Sequence, residues 1–186
     1  MAARLRDRGR TVVATREPGG TPGAEAIRAL LVQGAADRWA ASTELLLLLA
    51  ARDDHVRRVV RPALAAGSWV LCDRFIDSTR VYQGIAGGLG IERIDGLHEL
   101  AGAGLRPDLT LLLDLDPAIG LARRGLDAAE GRFESKGLDY HRRVRDGFRS
   151  LAAAEPERFA VVDAAASPDA VADAVWDAVS QRLGPA

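Results

Sequence analysis

Three polar segments of the sequence carry side chains that could bind a phosphorylated ligand. Residues 16–20 (REPGG), the pair Asp73 and Arg74, and Asp116 each follow a short apolar run that is typical of a β-strand. A carboxylate in this position can hold Mg²⁺ or its waters, and an adjacent arginine can clamp a phosphate. The Asp-Arg pair alone also fits a surface ion pair or a helix cap, and the REPGG segment alone also fits an ordinary strand-to-helix connection.

Two residue pairs have the spacing of neighbours on one helix face. Ser78 and Tyr82 lie four positions apart, and so do Leu48 and Arg52. On helices, the first pair would bring a hydroxyl and a ring together against a sugar or nucleobase, and the second would place a cation beside an apolar surface. Taken alone, each pair also fits an amphipathic helix with a solvent-facing polar side.

A polar segment, residues 125–137, lacks any apolar period and is predicted to be a loop. Arg123 and Arg124 precede it and Arg132 lies within it. Such a loop suits a lid that closes over transferring phosphates and excludes water, or else it is simply solvated.

The three histidines show no metal-ligand spacing, and we expect surface or capping roles for them. They are His55, His98 and His141.

The elements that would position these residues alternate between strand and helix. Strands are predicted at residues 11–15, 68–72, 109–115 and 159–162, the second and third of them as buried strands. Helices are predicted at residues 22–33, 42–66 with an interruption near Pro62, 79–84, 91–104, from 117 onward, 138–155 and 168–183. This alternation predicts an α/β fold, a parallel sheet with helices on both faces, whose ligands bind at the carboxyl ends of the strands.

Composition narrows the class of protein. The chain has 186 residues, 48% of them hydrophobic, and 25 basic against 26 acidic residues, which predicts a single domain with a formal net charge of -1. Such a balance argues against a nucleic-acid binder, and one cysteine excludes a disulfide framework. The apolar run 45–51 is too short to span a bilayer, and residues 1–10 lack a signal-peptide core. We expect a cytoplasmic protein with no nucleic-acid or membrane partner.

Taken together and in order, the motifs resemble those of bacterial thymidylate kinases over essentially the whole chain. The matching segments are residues 15–21 (TREPGGT), 50–52 (AAR), 73–75 (DRF), 78–79 (ST), 82–84 (YQG), 106–110 (RPDLT), 113–114 (LD), 131–134 (GRFE), 140–141 (YH) and 143–145 (RVR). The resemblance implies a three-layer fold of the P-loop nucleoside monophosphate kinase type, with residues 125–137 as the lid. It also implies a homodimer that uses ATP and Mg²⁺ to convert dTMP to dTDP, with ADP as the second product, in dTTP synthesis.

The resemblance assigns roles residue by residue. Arg74 would contact the dTMP phosphate and stabilise transferred charge, and Asp73 would hold the metal directly or through water. Lid charge would come from Arg123, Arg124 or Arg132, which are thus candidate catalytic and ATP-contacting residues. The implied substrate-binding residues are Arg16, Glu17, Pro18, Leu48, Arg52, Arg74, Ser78, Thr79, Tyr82 and Gln83. Among them, Arg52 would contact the thymine, Pro18 would line the monophosphate pocket, and Tyr82 would stand near the 2′ position of the sugar.

Two departures from the family pattern stand out. Leu48 occupies the position where the family usually has an aromatic residue that stacks on thymine. The phosphate-binding motif G-x-x-x-x-G-K-[ST] is absent, and the only lysine is Lys136. We therefore expect the chain to lack the first, central strand with its phosphate loop, to have two interior strand edges unpaired, and to turn over dTMP poorly.

Two alternatives stay open at this point. Leu48 leaves room for a kinase of another nucleoside monophosphate. The absent phosphate loop leaves room for a non-catalytic nucleotide-binding protein.

Overall fold

The computed structural model describes residues 1–184 except 36, 103 and 125–135. The strands are β1 (Val12–Arg16), β2 (Trp69–Asp73), β3 (Thr110–Asp114) and β4 (Phe159–Asp163). The helices are α1 (Ala2–Asp7), α2 (Pro22–Val32), α3 (Ala41–His55), α4 (Arg61–Ala65), α5 (Ile76–Thr79), α6 (Ile91–Ala101), α7 (Pro117–Arg124), α8 (Leu138–Ala154) and α9 (Pro168–Leu183). Two π-helical segments, Val56–Val60 and Arg80–Ile85, continue α3 and α5. The predicted strands and helices are thus confirmed, with shifted ends.

The four strands form two parallel pairs. β1 pairs with β2 from Val12↔Trp69 onward, and β3 pairs with β4 from Thr110↔Phe159 onward. Within the described residues these are two separate two-stranded sheets, so the predicted parallel α/β pairing is confirmed but a continuous sheet is not seen.

Strand burial is lower than the sequence predicts. All five residues of β3 and the first four of β2 keep part of their surface accessible, and the side chain of Leu113 is 52% exposed. The prediction that β2 and β3 are buried strands is therefore wrong. The physical reason is that, among the described residues, each of these strands has a hydrogen-bonded neighbour along one edge only.

Helix starts follow local chemistry. The side chain of Thr21 accepts a hydrogen bond from the backbone N–H of Ala24 at 3.0 Å, and Pro22 follows as the first helical residue of α2. Ser167 caps α9 in the same way. A hydroxyl that satisfies a free N–H, followed by a residue that has no N–H to satisfy, is the favoured way to begin a helix.

The long helical segment changes geometry just before Pro62. α3 passes into the π-helical segment Val56–Val60, and α4 begins at Arg61. Because proline lacks an N–H and its ring crowds the preceding turn, a continuous α-helix cannot pass through this position without distortion. The predicted interruption is thus confirmed.

Two apolar clusters pack the elements of the fold against one another. One contains Val81, Val144, Leu151, Ala152 and Phe159, and the other contains Leu45, Leu49, Ile76 and Ile94. The second cluster fixes α3 against α5 and α6, and its residues Leu45 and Leu49 lie on the same side of α3 as Leu48 and Arg52. Of the helices in the described ranges, none combines the length and apolar character that a membrane crossing requires.

Candidate active site

A cavity of about 420 Å³, termed here the α3 cavity, opens at the carboxyl ends of β1 and β2. Apolar side chains including Leu31, Phe75 and Leu121 form part of its lining. Nine of the predicted substrate-binding residues also line it: Glu17, Pro18, Leu48, Arg52, Arg74, Ser78, Thr79, Tyr82 and Gln83. Polar groups at the end of parallel strands and an apolar wall together are the usual features of a ligand site.

Arg52 is the central polar group of this wall. Its side chain is 2% exposed, its Nε donates to Glu17 Oε2 at 2.7 Å, and its Nη2 donates to Thr79 Oγ1 at 2.8 Å. The guanidinium carbon also lies 5.2 Å from the ring centroid of Phe75. Among the described residues, nothing accepts a hydrogen bond from the buried Nη1 atom. Because buried donors are nearly always paired, this atom points to a ligand acceptor in the cavity.

His55 lies behind Arg52 and is fully buried. Its Nδ1 is 3.0 Å from Glu17 Oε1, and its Nε2 is 2.7 Å from Thr15 Oγ1. The tight packing also explains Gly20, where a Cβ atom would lie 2.5 Å from the Cδ2 atom of His55.

The prediction of surface or capping roles for the histidines is wrong for two of them. His55 and His98 are both 0% exposed, and the half-buried His141 lines the α3 cavity. Spacing along the chain could not reveal this, because the histidines acquire their partners from other elements.

Arg74 follows β2 and has a φ of 64°, the only positive φ of a non-glycine residue in the described part of the chain. Such a backbone angle is unfavourable for a side chain other than glycine and is found most often where function requires it. The guanidinium lies 5.0 Å from the ring centroid of Tyr82, and the side chain lines the cavity. The distorted backbone thus places a cation at the strand end.

Aromatic packing fixes Tyr82 in turn. Its ring contacts Tyr140 and Phe148 of α8 edge to face, with centroids 6.4 and 6.2 Å apart. Ser78 and Tyr82 both line the α3 cavity, which confirms the predicted shared face even though the backbone turns from α-helical to π-helical between them.

Three functional candidates escaped prediction from the sequence. Arg28 lines the cavity and donates from Nη1 to the backbone oxygen of Pro18 at 2.9 Å. Glu44 is buried and accepts from Gln83 Nε2 at 2.5 Å. His55 holds Glu17. Glu44 and His55 could have been found from the sequence. Glu44 lies four residues before Leu48 and His55 lies three residues after Arg52, so both share a helix face with that pair.

The cavity wall has an excess of positive charge. Arg28, Arg52 and Arg74 line it, whereas Glu17 is the one acidic residue in its described lining and is paired with Arg52. An anionic ligand is therefore favoured.

The other predicted site residues lie elsewhere. Arg16 is 52% exposed and pairs with Glu25 at 3.0 Å, outside the cavity lining. Arg123 lies on α7 and donates to the backbone oxygens of Ala164 and Ala165.

Asp73 is exposed at the end of β2. In the part of the chain that the structure covers, no three metal-ligating side chains come together. Arg132 and nearly all of the predicted lid fall outside the described residues, and for Arg124 only the backbone, at the end of α7, is described.

A second cavity of about 280 Å³, termed the β3 cavity, extends from Arg74 to the end of β3. Arg145 donates to both oxygens of Asp114 there, at 2.7 and 2.9 Å. This hydrogen bonding from Arg145 lowers the pKa of the Asp114 carboxyl. Arg74 lines both cavities and therefore marks the place where they meet.

The fold and the site define an α/β protein with a positively charged, partly apolar cavity at the carboxyl ends of two parallel strands. The family model for thymidylate kinase matches residues 1–175. Thymidylate kinase from Caulobacter vibrioides is 54% identical over 184 residues, covering 99% of this chain and 88% of the relative. Thymidylate kinases from Solidesulfovibrio magneticus and Rhodopseudomonas palustris are 53% and 50% identical, each covering 98% of this chain and 91% and 81% of the respective relative. The chain belongs to the thymidylate kinase family.

Proposed function

We propose that this protein is a thymidylate kinase that transfers the γ-phosphoryl group of ATP to dTMP. The observation that carries the proposal is the α3 cavity, which combines a strand-end cation, Arg74, with a buried, ligand-directed donor, Arg52 Nη1. Membership of the family supports the same reaction. Phosphoryl transfer requires positioning and charge stabilisation more than covalent chemistry, and both are properties of this wall.

In the proposed complex, Arg74 binds the dTMP phosphate and neutralises charge that develops during transfer. Its contact with the Tyr82 ring holds the guanidinium at the strand end. Arg28 adds positive charge on the opposite side of the turn that contains Pro18, to whose backbone it is anchored. Fixing these cations before the substrate arrives lowers the reorganisation that the reaction requires.

The base occupies the part of the cavity between Leu48, Phe75 and Arg52. The free Nη1 atom of Arg52 donates to a carbonyl oxygen of the base, while the Glu17 and Thr79 contacts keep the guanidinium plane fixed. Tyr82 lies beside the sugar and disfavours a 2′-hydroxyl.

Asp73 would hold a Mg²⁺ ion directly or through water, and the bound ion would supply positive charge that offsets the charge of the phosphates. Asp73 fits this role as a single exposed carboxylate at the strand end, since Mg²⁺ in nucleotide sites keeps several waters and needs few protein ligands. Its neighbour Arg74 keeps the phosphate of dTMP close to that carboxylate.

The two sheets are, in this proposal, parts of one sheet that is completed by a strand between β2 and β3. Supporting observations are the one-sided pairing of both strands and the exposed side chain of Leu113 beside the β3 cavity. The completing segment would carry the phosphate loop G-x-x-x-x-G-K-[ST], and without it we expect poor turnover.

The activity is tested with the purified 186-residue chain and a panel of dTMP, dUMP, dGMP and dCMP. Calorimetry is expected to detect dTMP binding, with weaker binding of dCMP, even if ATP-dependent turnover is low. Preference for another monophosphate would favour a different nucleotide kinase. Binding of dTMP without any ATP binding would favour the non-catalytic alternative, for which the absent phosphate loop is the supporting observation. Robust dTDP formation would instead contradict the expected impairment.

The homodimer, the single domain, the lid and the cytoplasmic location stay predictions. A dimer contact through α3 and α6 is supported by the exposed side chains of Leu46 and Leu100, which are 62% and 78% accessible. Sedimentation of the wild type and of Leu46→Glu tests it, because a buried charge at a dimer contact shifts the protein toward monomer.

A further inference from the structure

One face of α3 carries the polar groups that stand behind the α3 cavity. Glu44, Leu48, Arg52 and His55 follow one another at helical spacing. Leu48 and Arg52 line the cavity, whereas Glu44 and His55 are buried outside its lining. Glu44 therefore cannot contact a ligand in the cavity directly, and its effect must pass through the residue that it holds.

That residue is Gln83, which lines the cavity and is 3% exposed. Its Nε2 atom donates to Glu44 Oε1 at 2.5 Å. An ionised carboxylate can only accept hydrogen bonds, so it fixes which end of the glutamine amide faces it. The amide nitrogen is turned toward Glu44, and the carbonyl oxygen, Oε1, is the end that can serve a ligand.

The adjacent part of the cavity wall carries a hydrogen-bond donor instead of an acceptor. Thr79, four residues before Gln83, orients Arg52, whose free Nη1 atom is a donor. The cavity wall therefore holds one fixed donor and one fixed acceptor. A base edge with a carbonyl oxygen beside an N–H group complements this pair, as thymine and uracil do. The cytosine edge has the reverse arrangement.

We propose that Glu44 is a specificity-determining positioning residue, which holds Gln83 with its carbonyl toward the base and so selects thymine over cytosine. The inference rests on the proposed function, since it assumes that the α3 cavity binds the base of a nucleoside monophosphate. It extends that function by assigning base selection to a residue outside the cavity.

The test compares dTMP and dCMP binding by calorimetry for the wild type and Glu44→Gln. The introduced amide can donate or accept, so Gln83 is free to adopt both orientations. We expect the ratio of dTMP to dCMP affinity to fall about tenfold, the value of roughly one hydrogen bond. Loss of the negative charge acts on both nucleotides alike and cancels in the ratio. Glu92→Gln, at an exposed position of α6, is the matched control and should leave the ratio unchanged.

The double variant Glu44→Gln with Gln83→Glu provides the rescue. The amide now at position 44 donates to the carboxylate now at position 83, whose second oxygen again offers an acceptor to the base. The preference for dTMP is expected to return. If Glu44→Gln fails to fold, the double variant still tests the proposal. A preference for dTMP would support the proposal, and a preference for dCMP would overturn it.

A second measurement needs no ligand. The side-chain amide resonance of Gln83 in the free protein is expected to shift and split in Glu44→Gln but not in Glu92→Gln. Equal weakening of both nucleotides with an unchanged Gln83 resonance would show a merely structural role for Glu44 and overturn the inference. A wild type that binds neither nucleotide would contradict the proposed function instead, while the resonance still reports whether Glu44 orients Gln83.

Discussion

The two strand pairs end in polar residues, yet they use them in opposite ways. At the ends of β1 and β2, Arg52 keeps a buried donor for which the described residues offer no acceptor, and Arg74 lines a cavity. At the ends of β3 and β4, Asp114 is bound through both oxygens by Arg145, and Asp163 accepts from the backbone N–H of Ala165 at 2.8 Å. The ends of β1 and β2 therefore present Arg52 and Arg74 to a ligand. At the ends of β3 and β4, Asp114 and Asp163 already have hydrogen-bond partners within the protein.

This difference shows what strand-end charge means in a parallel fold. Carboxyl ends of parallel strands share one edge, so position alone makes every polar residue there a candidate for binding. Pairing within the protein decides which of them stay available. The lowered pKa of Asp114 belongs to a carboxylate already stabilised by Arg145, and it is therefore a sign of internal pairing rather than of a free site.

We expect the largest effect from a variant that breaks the buried network of Glu17, Arg52 and His55 beside the α3 cavity. Glu17→Gln removes the negative charge between Arg52 and His55 and leaves one acceptor oxygen where there were two, at a site where Glu17 is 4% and Arg52 2% exposed. Because the guanidinium stays buried without its counter-charge, we expect a loss of about 3 kcal/mol in the free energy of unfolding, measured with urea. Affinity for dTMP should fall as well, because Arg52 is no longer held.

Glu25→Gln is the matched control for this variant. Glu25 pairs with Arg16 in an exposed contact, and its loss should change stability by less than about 1 kcal/mol. Equal effects of the two substitutions would show that the buried network has no special role.

A second test adds to the ligand-binding wall. Leu48→Phe introduces the aromatic residue that the family usually has, at a position that lines the α3 cavity. Stacking on the base should tighten dTMP binding about three- to tenfold by calorimetry. Leu46→Phe, on the exposed side of the same helix, should leave the affinity unchanged. Weaker binding by Leu48→Phe would mean that the cavity is too narrow for a ring beside the base.

Local patterns predicted most of the fold, and the family resemblance predicted most of the residues that line the cavity. The start of a helix at Pro22 and the interruption near Pro62 depend on neighbouring residues, and both were predicted from the sequence. Arg16 shows the limit, because its pairing with Glu25 depends on how the turn after β1 folds. The buried histidines show it too, since His55 takes one partner from β1 and the other from the turn that follows.

A third test addresses the end of β3, where Asp114 is paired with Arg145. Asp114→Asn weakens the contact with Arg145, whose side chain is 30% exposed, so solvent already screens the pair. We expect a stability loss of less than about 1 kcal/mol by urea unfolding. Calorimetry should show unchanged dTMP binding, in contrast to Glu17→Gln. A loss of dTMP affinity similar to that of Glu17→Gln would place Asp114 among the ligand-directed groups and remove the distinction between the two strand pairs.

The smallest expected change in stability concerns His98. Its ring packs edge to face on Phe75, and its Nε2 atom lies 2.6 Å from the backbone oxygen of Leu105. Burial lowers its pKa below the ordinary value of 6.5, and the nearby charges of Arg52 and Arg106 act in the same direction, whereas the hydrogen bond to Leu105 and the charge of Glu17 oppose them. Between the folded pKa and 6.5, the unfolded chain binds more protons than the folded one. This contribution to stability is therefore complete above pH 6.5 and is lost as the pH falls below it.

Urea unfolding at about pH 7.5 and about pH 5.5 measures the change, and the carboxylates with lowered pKa titrate mostly below this window. His98→Gln keeps an N–H donor for Leu105 but cannot be protonated, so its stability should fall less than that of the wild type over the same interval. Subtracting the two profiles removes the contributions of groups that both proteins share. An identical pH dependence would mean that His98 takes up its proton at the same pH in the folded and unfolded states, so that burial does not lower its pKa. Below pH 6.5, His98 would then be a buried positive charge packed against Phe75. The contrast between the two strand pairs would in that case include a residue that does not line the cavity.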